Sequence, residues 1–227
     1  MMLFLVLFGV LVTTGQTHRT FESARAERDF ELTADPDRPE WKDAPRVFMT
    51  RDYLGGAIDG APTEVRSRWT NEHLYLLYIC PYYELNLKPE PPSTEETPRL
   101  WDWDVVEAFI GSNDQEITRY KEFQVSPRGE WLDMDIDRQN PKGQAGIKWS
   151  SGFTARARID TAARIWYGEL RIPFRAVDGK PPRVGRQLRL GLYRIARVKP
   201  SRMYYAWQPT GQTTFHVPEA FGTLSLR

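Results

Sequence analysis

Two tryptophans and two aspartates, in the run from Trp101 to Asp104, stand directly before an apolar segment that carries one glutamate, Glu107. A flat indole ring can lie against the apolar face of a ligand, and nearby carboxylates accept hydrogen bonds from ligand hydroxyl groups. A sugar ring presents both kinds of surface. In a plainer interpretation, Trp101 and Trp103 close one end of the hydrophobic core and the aspartates cap a turn.

A second segment, near the end of the chain, has the same character. The residues from Trp207 to Gly222 (WQPTGQTTFHVPEAFG) combine aromatic rings with amide and hydroxyl side chains. Two such loops, far apart in sequence, could place rings on both sides of a slot and so cover both faces of a pyranose. Polar groups in such a slot would lack partners if they were buried without a ligand, so the slot is predicted to be open to water.

Composition restricts the class of partner. The 227 residues suffice for one domain with a sizeable core, and 31 Lys and Arg nearly balance 30 Asp and Glu. A nucleic acid or an anionic membrane would need a basic field, so neither is a predicted partner. The single cysteine, Cys80, can form neither an internal disulfide nor a CxxC metal site. We predict a monomer that contacts a membrane at most through an N-terminal anchor.

Residues 1–12 are almost wholly apolar but too few to span a membrane comfortably. Thr13 and Gly15 supply the small residues of a signal-peptidase site, although no Lys or Arg precedes the apolar run. The pattern predicts a signal peptide over residues 1–15, either cleaved near Gly15 or kept as an anchor. The predicted location is extracytoplasmic, meaning periplasmic or secreted.

Alternation of apolar and polar residues predicts the elements that must position these loops. Thr63–Thr70 and His73–Cys80 form one predicted hairpin, Tyr120–Ser126 and Trp131–Asp137 form another, and Phe153–Ile159 is a further strand. No stretch keeps a helical period over three turns. The predicted fold is all-β: an antiparallel β-sandwich, jelly-roll-like and of immunoglobulin-like size.

The sequence predicts two structural parts after the signal peptide, with the boundary between residues 40 and 41. Residues 16–40 are predicted to be an N-terminal extension that packs on the sandwich, with a short strand near Phe30–Leu32, and residues 41–227 to be the sandwich domain. In the second hairpin, Asp133, Asp135 and Asp137 share one strand face. They could hold a calcium ion, but a strand lacks the encircling loop of a dedicated site, so a solvated face is the favoured interpretation.

Four segments resemble, in this order, the family 9 carbohydrate-binding modules and their bacterial relatives: WDWDVVEAFIG, YKEFQVSP, WYGELRIPF and TTFHVPEAFGTLSL. The resemblance runs from about Trp41 to Arg227. It implies an antiparallel β-sandwich that grips sugars, often at chain ends, between two aromatic rings. It also implies that structural calcium is a common feature.

Carried over by position, the resemblance assigns five ligand-binding residues. The first aromatic ring is Trp101, the carboxylate is Glu107, a strand amide is Gln124, the loop amide is Gln212 and the second ring is Phe215. Two of these depart from the family pattern, which has tryptophan at the second ring and arginine, in well-known members, at the strand amide. The departures leave sugar binding implied and the identity of the sugar open.

The predicted function is that of an exported, non-catalytic carbohydrate-binding protein that serves polysaccharide recognition or catabolism beside a separate glycoside hydrolase. Its ligand would be a mono- or oligosaccharide or a polysaccharide chain end. Two alternatives stay open. Hydrolysis by this chain would need a second carboxylate facing Glu107, and Asp104 lies on the opposite strand face. A haem-binding redox sandwich would have to use His216 and Met203 without a C-x-x-C-H site.

Overall fold

The structure, a computed structural model, describes residues 18–58, 60–90, 94–112, 115–140, 149–198 and 201–227. The predicted signal peptide, residues 1–15, lies outside these ranges.

Strands make up most of the regular structure in the described ranges, and the α-helix found there is only four residues long, too short to cross a membrane. The strands are β1 (Thr20–Arg25), β2 (Arg46–Met49), β3 (Arg51–Asp52), β4 (Thr63–Trp69), β5 (His73–Pro81), β6 (Val105–Gly111), β7 (Arg119–Val125), β8 (Trp131–Asp137), β9 (Thr154–Asp160), β10 (Ile165–Pro173), β11 (Gln187–Val198), β12 (Ser201–Ala206) and β13 (Gly222–Leu226), and the helix is α1 (Phe174–Val177).

The strands form two layers that share β1. The front sheet runs β8-β7-β6-β11-β13-β1, and the back sheet runs β1-β4-β5-β10-β9. Residues 20–23 of β1 pair with β13, and Ala24 and Arg25 pair with β4. Both of these pairings are parallel, whereas the other ladders are antiparallel. The predicted all-β sandwich is therefore confirmed, with a parallel strand where the layers join.

The main core lies between the two sheets. Successive side chains along each strand point to opposite faces, so every second side chain enters this core. On β6, Val106, Ala108 and Ile110 point inward and are fully buried. Strand β5 is buried on both faces, as expected for the apolar run His73–Cys80, and it lies between β4 and β10.

The segment between β1 and β2 covers the outer face of the back sheet. Phe30 stacks on Tyr75 with ring centroids 3.9 Å apart, and Trp41 is completely buried beside them. The strand predicted near Phe30–Leu32 does not form. The backbone N–H of Phe30 donates instead to the Tyr75 hydroxyl at 3.2 Å, so side chains rather than a neighbouring strand hold this segment.

Glu169 on β10 fixes that segment, and Glu169→Ala is expected to loosen it. The carboxylate accepts from the backbone N–H of Thr33 and Ala34 at 2.7 and 2.6 Å and from the Trp41 indole at 2.9 Å. Each buried donor left unpaired costs about 1–3 kcal/mol, so we expect a loss of about 3 kcal/mol in the free energy of unfolding, measured in urea. The control Glu31→Ala, exposed on the same segment, should change it by less than about 0.5 kcal/mol. Equal stability of the two variants would contradict this role for Glu169.

Candidate functional site

The outer face of the front sheet carries polar side chains within an apolar cluster. Since Ala108 on β6 and Phe123 on β7 point into the core, strand alternation sends Glu107, Glu122 and Gln124 to the opposite, outer face. Glu107 and Gln124 are direct partners across the β6–β7 ladder. The sheet thus gathers two carboxyls and an amide on one small area.

A pocket of about 320 Å³ lies over this area, within the size range of small-ligand sites. Its walls combine aromatic and aliphatic side chains with hydroxyls and the polar groups from β6 and β7. The lining residues are Tyr53, Trp101, Glu107, Glu122, Gln124, Met134, Ile136, Ile195, Tyr204, Thr213, Thr214, Phe215 and His216.

Four of the five predicted site residues line this pocket: Trp101, Glu107, Gln124 and Phe215. Gln212 does not. It is exposed on a turn that begins at Gly211, whose φ is +70°, and the Thr210 hydroxyl holds the turn by donating to the Gln212 carbonyl at 3.0 Å. The neighbouring threonines of the loop face the pocket instead.

A short 3-10 turn, Leu100–Asp102, presents Trp101 to the pocket. The turn follows Arg99, whose φ of 59° is left-handed, and the Arg99 guanidinium donates to the Asp102 carboxylate at 2.8 Å. The side chain of Trp101 is half-buried against the apolar cluster on the outer face of the front sheet, and Arg202 donates to the backbone carbonyl oxygen of Trp101. Trp103 is not among the lining residues. Of the two tryptophans, therefore, only Trp101 is placed to meet a ligand.

Phe215 is more buried than an exposed clamp ring would be, with 7% of its surface accessible. One face stacks on Tyr193, with centroids 4.2 Å apart and planes within 10°. The rings of Tyr53 and Tyr204 pack edge-on against it, with centroids 6.1 and 5.9 Å from the Phe215 centroid. Phe215 is therefore part of the packed wall of the pocket, and Tyr53 and Tyr204 line the pocket beside it.

The sequence reasoning missed four notable lining residues: Tyr53, Glu122, Tyr204 and His216. Glu122 could have been found, because it lies two positions before Gln124 and so shares its strand face. Tyr53 directly follows β3 and Tyr204 lies within β12, far apart in the chain, and no local pattern joins them to the pocket.

Burial raises the pKa of both carboxyls on the pocket floor. Burial raises the pKa of Glu122 to about 8. Burial, and the nearby Glu122 carboxyl, raise the pKa of Glu107 well above its usual range, although Arg202 opposes the shift. Gln124 Nε2 donates to Glu122 Oε1 at 2.5 Å. The floor therefore holds protons that an exposed glutamate would have released at neutral pH.

His216 closes one side of the pocket as a neutral imidazole. Burial, and to a smaller extent Arg138, lower its pKa to about 4. Its Nδ1 lies 2.6 Å from the Tyr120 hydroxyl, and its Nε2 lies 4.0 Å from Glu122 Oε2. Near neutral pH it contributes no positive charge to balance the carboxyls.

The family assignment rests on a match along most of the chain. The model of the carbohydrate family 9 binding domain-like family matches residues 37–227. The chain belongs to this family. The resemblance seen in the four sequence segments is thereby confirmed, over nearly the same residues.

Solved structures of other proteins share the fold of this family 9 domain. A candidate carbohydrate-binding protein from Bacteroides uniformis superposes with a TM-score of 0.72 at 14% identity, over 93% of this chain and 100% of that one. A family 9 carbohydrate-binding module from Caldicellulosiruptor kristjanssonii, solved with cellotriose and with glucose, gives 0.64 at 16% identity in both cases. These matches cover 92% of this chain and 94% and 96% of the module.

Two curated relatives match shorter parts of the family 9 domain. The UPF0462 protein C4orf33 homolog of Danio rerio is 29% identical over 118 residues, and a protein of Arthroderma benhamiae named "Extracellular protein" is 22% identical over 142 residues. The alignments cover 52% and 57% of this chain. They span 56% and 64% of the relatives' own lengths.

The aspartate row of this family 9 domain is solvated only in part. Asp133 is fully buried and accepts from the Ser151 backbone N–H at 3.1 Å, because the chain before β9 closes over this edge. Asp135 pairs with Lys121 at 2.6 Å and Asp137 with Arg119 at 3.2 Å. In the ranges that the structure describes, no three His, Cys, Asp or Glu side chains are grouped as metal ligands. Structural calcium stays a prediction.

The two residues of the haem alternative do not converge. His216 lines the pocket on the outer face of the front sheet, whereas Met203 packs against the main core on the other face. A haem held between these two side chains would have to pass through the sheet.

Proposed function

We propose that this protein is an exported, non-catalytic domain that binds a mono- or oligosaccharide or a polysaccharide chain end in the pocket of the front sheet. In this proposal it serves polysaccharide recognition or catabolism beside a separate glycoside hydrolase.

One observation carries the proposal: half-buried Trp101 lines the same pocket as a polar floor made by Glu107, Glu122 and Gln124. An indole face covers the C–H side of a pyranose, and the floor offers acceptors and a donor to its hydroxyls. The pocket's volume of about 320 Å³ suits one or two sugar rings better than a long chain.

The relatives support the ligand class and the location. A module with this fold was solved with cellotriose and with glucose, and one curated relative is named as an extracellular protein. The apolar residues 1–12 followed by small residues fit export through a signal peptide.

The glycosidase alternative gains a second carboxyl from the structure, since Glu122 shares the pocket with Glu107. Hydrolysis needs the two carboxyls on either side of the scissile bond. Glu107 is opposite Gln124, so Glu122 is its diagonal neighbour on the same sheet face. Both carboxyls therefore lie on the same side of a bound ligand rather than on either side of a scissile bond, and this arrangement favours binding over hydrolysis.

Trp101→Ala is expected to weaken sugar binding at least 30-fold while the domain still unfolds cooperatively. A disaccharide has about 23 heavy atoms, and about 0.3 kcal/mol per atom gives about 7 kcal/mol, a Kd of about 10 µM. Much of this contact is with the indole ring. The fold should survive, because the Arg202 hydrogen bond reaches the backbone carbonyl, which the substitution keeps. Calorimetric titration with cellotriose and glucose measures the loss.

Trp103→Ala is the matched control, since Trp103 is half-buried two positions away and does not line the pocket. It should keep the affinity of the wild type within about threefold. The proposal fails if a broad set of neutral, acidic and amino sugars shows no binding to the wild type. Release of reducing sugar from cellotriose by the wild type, lost in Glu107→Gln, would favour the glycosidase.

A further inference from the structure

Two oxygens of the pocket floor are buried without a hydrogen-bond partner among the described residues. One N–H of the Gln124 amide donates to Glu122 Oε1 at 2.5 Å. This leaves Glu122 Oε2 and Gln124 Oε1 buried and without a hydrogen-bond partner in the described part of the chain. His216 Nε2 is 4.0 Å from Glu122 Oε2, too far for a hydrogen bond. The floor is therefore shaped for a ligand that brings donors.

The floor holds two carboxyls and little positive charge that could stabilise them as carboxylates. Among the described residues that line the pocket, none is Lys or Arg, and His216 is neutral near pH 7. Arg202 and Arg138 act from outside the lining: Arg202 is held at the Trp101 carbonyl and over the Tyr204 ring, 5.7 Å from its centroid. Two carboxyls side by side resist joint ionisation unless a cation enters between them.

We propose that the pocket selects an amino sugar, a pyranose with a free ammonium group, whose ammonium lies on the Glu107–Glu122 pair while its ring lies against Trp101. The proposal rests on the proposed function, because it names the class of sugar at the same site.

An ammonium group would supply hydrogen-bond donors to the unpartnered oxygens of the floor and a positive charge to its carboxyl pair. It carries three N–H donors, enough for the free oxygens of Glu122 and Gln124 and for Glu107. Its hydrogen bonds to carboxylates are charge-assisted and about twice as strong as neutral ones. A hydroxyl at the same carbon donates once and brings no charge. An acetamido group brings no charge either and needs more room.

A set of three ligands that differ at one atom position tests the proposal. The β-1,4-linked trimers of glucosamine, glucose and N-acetylglucosamine share a backbone and differ in the group on C2. Calorimetry at pH 7 should show the glucosamine trimer binding at least tenfold more tightly than cellotriose, and the acetylated trimer binding less tightly than the glucosamine trimer. Equal affinities, or tighter binding of cellotriose, would overturn the amino-sugar preference and leave sugar binding intact. Binding of none of the three, nor of any other sugar, would overturn both.

Two variants locate the preference. Glu122→Gln keeps the shape and the oxygen that accepts from Gln124 but removes the carboxylate, so the preference for the glucosamine trimer over cellotriose should fall below threefold, whatever the affinity for cellotriose becomes. Glu219→Gln removes an exposed carboxylate on the turn after the pocket loop and should leave the preference unchanged. If Glu219→Gln reduces the preference as much as Glu122→Gln does, or if trilysine binds as tightly as the glucosamine trimer, general surface charge is responsible and the proposal is wrong.

Discussion

Glu122→Gln is expected to raise the free energy of unfolding at pH 8 by on the order of 4 kcal/mol and to change it little at pH 5. Burial raises the pKa of this carboxyl to about 8 from an ordinary value of 4.5. As pH rises from 4.5 to 8, the unfolded chain releases a proton that the folded chain keeps, so stability falls by about 1.4 kcal/mol per pH unit. Glutamine cannot ionise and avoids this loss. Urea unfolding of both proteins at pH 5 and pH 8 measures the effect.

Other groups around Glu122 titrate in or near this range, so the informative quantity is the difference between variant and wild type at each pH. Because the pKa of Glu107 is also raised, its ionisation lowers the free energy of unfolding further as pH rises. His216, with its pKa lowered to about 4, acts in the opposite sense: its contribution is complete above its unfolded value of 6.5 and is lost as pH falls toward 4. A variant that is no more stable than the wild type at pH 8 would show that the Glu122 carboxylate is not buried in the folded protein.

Leu190→Asp is expected to abolish cooperative folding at 25 °C. Leu190 is completely buried in the main core, on the β11 strand between β6 and β13. Aspartate would place an unpaired carboxylate there, and it would also remove the apolar contacts of Leu190 in the main core. The loss exceeds the 5–15 kcal/mol stability that a domain usually has, or comes close to it. Loss of the near-UV circular dichroism signal and of the urea transition is the expected observation.

Two substitutions on the same strand serve as controls for Leu190→Asp. Leu190→Ala should cost about 2–5 kcal/mol and leave a measurable transition, because it creates a cavity without burying a charge. Gln187→Asp, at an exposed position of β11, should change stability by less than about 0.5 kcal/mol. A folded Leu190→Asp protein with a normal transition would mean that β11 does not occupy the centre of the sandwich.

Much of the fold could be predicted, because a half-buried strand requires apolar and polar residues to alternate, and this alternation is visible in the sequence. The hairpin of β4 and β5 and that of β7 and β8 follow from runs such as Thr63–Thr70 and Trp131–Asp137. The strand predicted near Phe30–Leu32 does not form for a physical reason. The Phe30 backbone N–H donates to the Tyr75 hydroxyl. Further along the chain, the backbone N–H groups of Thr33 and Ala34 donate to Glu169. Such long-range side-chain contacts leave no local sequence pattern.

The candidate site was predictable in part, and mainly by resemblance. Trp101 and Gln124 were placed in the pocket by matching positions in the family, and the pairing of Glu107 with Gln124 agrees with neighbouring strands. The burial of Phe215 could not be read from its neighbours in sequence, since Tyr193 and Tyr53 reach it from elements far away. Whether these residues bind a sugar stays a prediction.

The position of β13 has a consequence for how the sandwich closes. This strand lies between β11 and β1 in the front sheet. Until β13 is in place, the sheet has a vacant slot flanked by two unpaired strand edges, which are open to wrong partners. The pairing of β13 with β1 places Thr223 beside Thr20, a contact between residues far apart in sequence, so completion of the front sheet is expected to be slow.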